Sequence, residues 1–512
     1  LRSILKLTPF DWQLRDLEKL RANNFTGLLS IEAGGGKTYL ATLALAEVDP
    51  DVTLIIAPKS THMTAWIPTL RDNADRTPRI MGNGNKAQRE AYQDFLLGFP
   101  GVYLTTPQWL TRQDTSEWSG DMLIVDEVHQ VSTMGSKAQK AISGYSARDP
   151  EPIAQRFDHR LALSGTPMRQ AFGNLWSTMR LLWPELNKRG QVAHDNSYAW
   201  MLDRMDATDI VTGVDWFEVT WDQYRNREDG EWAKVIDGVP HLGTPNTVKK
   251  YTAEAKPGRL FSEAPCVIVH KRRETCCDDP SHEGGFLPTE EPQIIEREVE
   301  LTAKQKKAIR EMEASMFTYL NENPLIADIP LTQKQRIRQL TLGEAEAVSV
   351  GDDKTSIEFP KESPSPFLDE TIHILSNLPE GEAVVIFLES QRYAEVLTHR
   401  LTKAGYTAEE YSGKRKADLE RFGQDYQVLV GVLSALGTGT AGLNHKAHTE
   451  IVFEQPVSLT LKAQGEARLE RLDNKHQVQR YVLLDDLGVQ AGRVDDLLAK
   501  QILVNRSVRV LR

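Results

Sequence analysis

The sequence predicts an α/β protein of two lobes, each built on a parallel sheet covered by helices, with helical insertions. Three observations predict it. First, short apolar runs recur at α/β spacing: Gly27 to Ile31, Thr53 to Ala57, Val102 to Thr106, Met122 to Val125 and Arg160 to Leu163. Runs without polar alternation fit strands buried on both faces. Second, the design returns in the last third of the chain, with Ala383 to Leu388, Gln427 to Val432, Ile451 to Glu454 and Tyr481 to Leu484. Third, polar residues gather where the runs end, at the carboxyl edge where such sheets collect ligands.

The 512 residues are enough for several cores. The net charge of −11, from 61 Lys and Arg against 72 Asp and Glu, excludes a generally basic nucleic-acid protein. Any DNA contact must come from a local basic path. No apolar run reaches the roughly 18 residues a membrane span needs, so no membrane is expected. Leu1 to Leu7 is too short and too charged for a signal peptide, and the missing initiator Met suggests a start inside or after a processed terminus. Cys266, Cys276 and Cys277 are too few for a disulfide scaffold and fit a reducing compartment.

In chain order, Thr8-Pro9-Phe10-Asp11 opens a helix in which Trp12, Leu14, Leu17 and Leu20 alternate with charges. Gln13 taken alone reads as a surface residue. Shortly upstream of a glycine loop its carboxamide, donor and acceptor together, suits the edge of adenine. That loop is Ile31-Glu-Ala-Gly34-Gly35-Gly36-Lys37-Thr38, between an apolar strand and the helical run Tyr39 to Leu45. Glycines let backbone N–H groups approach an anion, and the helix N-terminus adds partial positive charge. Lys37 would reach the β- and γ-phosphates of ATP, and Thr38 would offer its hydroxyl to Mg²⁺. The strict pattern has Gly where this chain has Ile31.

The strand ends that follow carry Pro58-Lys59-Ser60-Thr61, Thr105-Thr106-Pro107, Asp126-Glu127-Val128-His129 and Ser164-Gly165-Thr166-Pro167. An Asp-Glu after a lone strand is ordinarily a helix cap. Downstream of a glycine loop, Asp126 takes the position that binds Mg²⁺, and Glu127 can accept the proton of an attacking water.

The order of these segments resembles helicase superfamily 2, and within it the Swi/Snf-type DNA translocases. Leu54-Ile-Ile-Ala-Pro-Lys-Ser60 with Trp66 is similar to that family's second motif. Leu161-Ala-Leu-Ser-Gly-Thr-Pro-Met168, with Asn174-Leu-Trp176 and Leu182-Trp-Pro-Glu185, is similar to its third motif and following helix. The resemblance implies two RecA-like lobes with ATP and Mg²⁺ between them.

The first lobe is expected over 1–186. Residues 187–265 match nothing recognisable and read as an insertion that touches DNA or a protein partner, or merely decorates the surface. Residues 266–366 read as an inter-lobe linker and helical protrusion. Within them, Val267-Ile-Val-His-Lys-Arg-Arg273 resembles the family's connecting segment. His270, Cys276, Cys277 and His282 lie there, but adjacent cysteines chelate poorly and argue against zinc. Helices are expected over 303–320 and 333–340, then a loop over 351–366. The second lobe, 367–512, has a helix expected after Gly413, running to Phe422, and no glycine loop of its own.

Ser434-Ala-Leu-Gly-Thr-Gly-Thr-Ala-Gly-Leu-Asn444 resembles the family's fifth motif, without its Arg. Gln464-Gly-Glu-Ala-Arg468-Leu-Glu-Arg471 resembles the sixth, expected as a helix carrying two Arg on one face. By the resemblance, Arg468 and Arg471 join Lys37, Asp126 and Glu127 as catalytic residues. Lys59, Ser60, Thr106 and Asn444 would touch DNA, and Ser164, Thr166 and Gln464 would couple the sites. The implied activity is ATP-driven translocation on double-stranded DNA. A strand-separating or annealing helicase on forked or single-stranded DNA is the alternative, and a nucleotide-gated DNA-binding module without turnover the third. No chromatin-reading segment is recognisable, which suits a bacterial or phage-infected cytoplasm, with the nucleus as the eukaryotic alternative.

Overall fold

The computed structural model describes residues 6–145, 151–165, 173–184, 200–201, 205–212, 216–219, 231–236, 239–243, 246–254, 259, 263–273, 285–287, 289–327, 329–349, 355–436, 442–456, 458–471, 474, 476–495 and 498.

The first sheet begins with β1 (Gly27–Ile31), β2 (Val52–Ile56), β3 (Arg79–Ile80), β4 (Gly101–Thr105), β5 (Gly120–Asp126) and β6 (Phe157–Leu163). Helix α1 (Asp11–Ala22) precedes β1, and α2 (Lys37–Val48) follows it. Then come antiparallel strands standing apart from the sheet: β7 (Met205–Thr212), β8 (Trp216–Val219), β9 (Glu231–Ile236), β10 (Val239–Gly243) and β11 (Asn246–Glu254). Within the insertion, the described residues between Met205 and Glu254 are strand. Trp200, in the first part of that insertion, is wholly buried in the first lobe's core.

β12 (Val267–His270) returns to the first sheet, giving the parallel order β12-β1-β6-β5-β2-β4-β3. β13 (Gln293–Val299) opens the second sheet. The segment expected as a linker thus ends one sheet and begins the other. Two hairpins follow, β14 (Phe317–Leu320) with β15 (Asn323–Ile326), and β16 (Glu346–Ser349) with β17 (Thr355–Glu358). Helices Ala303–Ser315 and Pro330–Leu342 complete this protrusion.

β18 (Val384–Leu388), β19 (Ala408–Tyr411), β20 (Val428–Val432), β21 (Thr449–Val452) and β22 (Gln479–Asp485) finish the second sheet. Its parallel order is β13-β22-β21-β18-β20-β19. The two-lobed parallel α/β fold is thus observed directly.

Both faces of the second sheet are buried because side chains alternate along a strand. Val384, Ile386 and Leu388 enter one core cluster, while Ala383, Val385 and Phe387 enter another. Among the described residues, no helix is long and apolar enough to cross a membrane.

Three expectations are corrected. The helix from Ala303 stops at Ser315, because Met316 turns left-handed at φ 58° and Phe317–Leu320 pairs as a strand. The described part of the 351–366 loop begins with β17. No helix follows Gly413: the Ser412 hydroxyl accepts the Lys414 and Arg415 N–H groups, and Ala417 N–H donates to Glu410. Those bonds hold the backbone against its own strand instead of letting it wind.

Candidate nucleotide site in the cleft between the lobes

The glycine loop leaves β1 at the carboxyl edge of the first sheet, where β6, β5 and β2 also end in consecutive positions. Gly34 and Gly36 sit at φ 89° and 76°, the left-handed region where a side chain is strained. A Cβ on Gly35 would lie 2.5 Å from Ile31 Cγ2 and 3.0 Å from the Phe286 ring. Ile31, the departure from the strict pattern, is thereby accommodated: its side chain fills the space a larger residue at position 35 would need.

Gln13 is 2 % exposed, behind the loop. Its Oε1 accepts the Phe10 N–H at 3.0 Å, and its Nε2 lies 2.8 Å from where a Gly36 Cβ would be. The surface alternative for Gln13 is overturned. The carbonyl half caps α1, and the amide half faces the loop.

Lys37 Nζ is 3.5 Å from Glu127 Oε1. Asp126 ends β5, with Oδ1 accepting the Glu127 N–H at 2.9 Å and Oδ2 accepting the Trp66 indole N–H at 3.0 Å. Burial and the neighbouring Glu127 raise the Asp126 carboxyl to about 6. Glu127 adopts φ 49°, and although burial opposes its ionisation, Lys37, His129 and Arg468 together bring it below its ordinary value. His129 Nδ1 lies 2.9 Å from Ser164 Oγ and 3.3 Å from Glu127 Oε2.

From the second lobe comes helix Leu459–Glu466. It stops before the arginines, which stand on the turn beyond it, so the expected helical pair is a helix-end pair. Arg468 Nε donates to Gln464 O at 3.1 Å and Arg471 Nε to Ala467 O at 3.2 Å. Burial and Arg471 push the Arg468 guanidinium down and Glu127 opposes them; an arginine stays charged at neutral pH. A Cβ on Gly34 would lie 3.9 Å from Arg471 Cα, so this turn sits over the glycine loop. A cleft cavity of about 460 Å³ is lined by Lys37, Glu127, Gly165, Arg273, Gln464 and Glu470, among others.

The remaining expected residues are scattered. Lys59, exposed, and Ser60, half-buried, lie on a short helical turn after β2. The Thr106 hydroxyl accepts the Trp109 N–H at 3.2 Å as a helix cap. Asn444 is 2 % exposed and follows residues 437–441, which lie outside the described residues. Ser164 is buried against His129, and Thr166 lies outside the described residues. Cys276, Cys277 and His282 also lie outside them, while His270 bonds Asp16 at 2.5 Å.

Sequence reasoning missed Trp66 as a partner of Asp126. A five-residue π turn, His62–Trp66, swings the indole toward β5, and such turns recur at functional positions. Trp66→Phe is expected to cost about 1–3 kcal/mol of stability, because a buried carboxylate oxygen loses its donor. Urea unfolding at neutral pH measures it.

The donor set fits a triphosphate with a divalent cation. Asp126 is buried and Glu127 half-buried at one sheet edge, and Lys37 pairs with Glu127 rather than Asp126, which leaves the Asp126 carboxylate available to a cation. Thr38 and Asp126 are the groups that would hold the cation.

A glycine loop ending in Lys-Thr, a neighbouring Asp-Glu strand end and arginines from a second lobe define a two-lobed P-loop nucleotide-binding protein. The comparisons narrow this. Residues 13–199 match the SNF2-related domain family. Nuclear protein STH1/NPS1 of Saccharomyces cerevisiae is 29% identical over 196 residues, 36% of this chain and 14% of that protein. ISWI chromatin-remodeling complex ATPase ISW1 of the same yeast is 26% identical over 191 residues, 35% of this chain and 16% of its own length. The matched region is thus a small part of these relatives. A solved Sulfolobus solfataricus SWI2/SNF2 ATPase core in complex with dsDNA covers 99% of this chain and 95% of its own, at 15% identity and a TM-score of 0.37.

Proposed function

We propose that the chain is an ATP-dependent translocase on double-stranded DNA, hydrolysing ATP in the cleft between its lobes. The observation that carries this reading is the cross-cleft arrangement: Lys37 and Glu127 paired in one lobe, with Arg468 and Arg471 arriving over them from the other. Relatives whose names include ATPase and chromatin remodelling support it.

In this reading Lys37 and the N–H groups around Gly34, Gly35 and Gly36 bind the phosphates. Bound Mg²⁺, held by Thr38 and Asp126, would neutralise charge on the β- and γ-oxygens. Glu127 takes the proton of the attacking water. Arg468 and Arg471 stabilise charge on the transferring phosphoryl group, so turnover requires lobe closure. Ser164, through His129, and Gln464 relay the state of the cleft. Lys59 and Ser60, at the same sheet edge, supply backbone contacts that bind DNA without reading its sequence. The curated relatives reported above are eukaryotic and one is named as nuclear, so the nuclear location is retained over the bacterial or phage cytoplasm. The insertion remains the candidate surface for a protein partner.

The test is the ATPase rate with no DNA, single-stranded, duplex and forked DNA, with Lys37→Ala as blank. Duplex is expected to stimulate most, with a salt-sensitive apparent affinity. Stimulation mainly by forks or single strands would replace the translocase with the helicase reading. Nucleotide binding without turnover would leave the gated module.

A further inference from the structure

Glu470 stands between the two cleft arginines in sequence, is 3 % exposed, and meets three cations. Arg272 Nη2 lies 3.1 Å from its Oε2 and Arg273 Nε 2.8 Å from the same oxygen. Arg480 Nη2 holds Oε1 at 2.8 Å. Arg272 and Arg273 follow β12 and belong to the first lobe, while Glu470 and Arg480 belong to the second. The same run grips the glycine loop: Lys271 Nζ lies 3.0 Å from Glu32 Oε1, and the Arg272 N–H donates to Glu32 Oε2 at 2.9 Å. That placement follows from register, since β12 pairs with β1 at His270 opposite Ile31.

We propose that Glu470 is a positioning residue, gripped by Arg272 and Arg273 across the cleft and by Arg480 from behind, which sets the 468–471 turn in register over the glycine loop. This rests on reading Arg468 and Arg471 as the cross-cleft arginines of the ATP site. The backbone supports it independently. A Cβ on Gly34 would sit 3.8 Å from Glu470 O, so the turn and the loop already lie in near contact. Burial opposes ionisation of Glu470, and Arg272 and Arg480 overcome it, so the carboxylate is charged where it bridges the lobes. A bridge of buried, mutually paired charges is demanding in geometry and tolerates displacement poorly. It therefore specifies one arrangement of the lobes rather than a range of them.

The test uses the full chain with Glu470→Gln, Arg273→Gln and Arg273→Lys. Arg273 is the milder site, because Arg272 and Arg480 still face Glu470 after its loss. Steady-state hydrolysis is expected to show kcat lowered about 100-fold in Glu470→Gln, the scale of a misplaced catalytic group, and lowered by a smaller factor in Arg273→Gln. KM for ATP is expected to stay near the wild-type value: in Glu470→Gln because the phosphate loop lies in the other lobe, and in Arg273→Gln because Lys271 and Arg272 still hold Glu32 of the loop. Arg273→Lys, which keeps the charge, is expected to recover part of kcat. Small-angle scattering of the nucleotide-free protein is expected to show a larger particle for both Gln variants than for wild type.

Wild-type kcat in folded Gln variants, scattering curves that superimpose on wild type, or Arg273→Lys behaving as Arg273→Gln would each overturn the proposal. The scattering arm separates the two readings. A wild-type protein without hydrolysis would sink the ATPase reading alone, while expansion of the variants would still report the bridge.

Discussion

Alanine at Arg471, or at Arg468, is expected to lower kcat for ATP hydrolysis by about 10³–10⁵, the span an arginine across a phosphoryl-transfer cleft typically supplies. The side chains stand on the turn after helix Leu459–Glu466, each tethered to a backbone carbonyl four residues back. That tether removes much of the rotamer freedom a long cation would otherwise lose on engaging the phosphate. Arg468 lies close enough to Glu127 for the two charges to shift each other. Binding of a fluorescent nucleotide is expected to persist, since Lys37 and the glycine loop lie in the first lobe. Single-turnover hydrolysis beside equilibrium binding measures both effects. A loss confined to affinity, with kcat intact, would assign the arginines to ground-state binding.

Glu127→Gln is expected to reduce kcat by about 10²–10⁴, the contribution of a positioned general base, while ATP binding holds or tightens. The amide keeps the shape and loses the charge that Lys37 meets at 3.5 Å. The left-handed backbone at Glu127 turns its side chain back toward the loop after Asp126, which is how two successive residues serve one site. Loss of the carboxylate also frees Lys37 to face phosphate alone. An unchanged rate in Glu127→Gln would remove Glu127 from the chemistry and move the search for a base to its neighbours.

The glycine loop and the Asp-Glu pair were legible because each is contiguous: a strand, a turn and a helix start lie within one short run of sequence. Gln13 was legible as a candidate but not as a buried residue, since its burial depends on how α1 packs behind Gly36. The arginines were legible, yet the helix expected to carry them ends at Glu466. The helix expected after Gly413 failed for a related reason. Local propensity says what a segment can do, and the Ser412 hydroxyl and the Glu410 carbonyl then bind it elsewhere. Asn444 carried a family motif into a buried position, which no periodicity in that stretch announces.

By itself the sequence determined the local chemistry: glycines before a helix, a carboxylate pair at a strand end, Arg468 and Arg471 on either side of Glu470. Apolar runs of strand length also determined that two parallel sheets would form, because only a sheet covered on both faces buries such runs. Which charges would meet was decided by tertiary structure alone. Trp66 and Asp126 are 60 residues apart, and Arg273 and Glu470 are 197 apart. A buried charge must find a partner or remain costly to desolvate, but several basic residues could have answered Glu470. The parallel register of β12 on β1 and the seating of the second lobe over the glycine loop chose Arg272 and Arg273, and those are relations between surfaces that no single stretch of sequence contains.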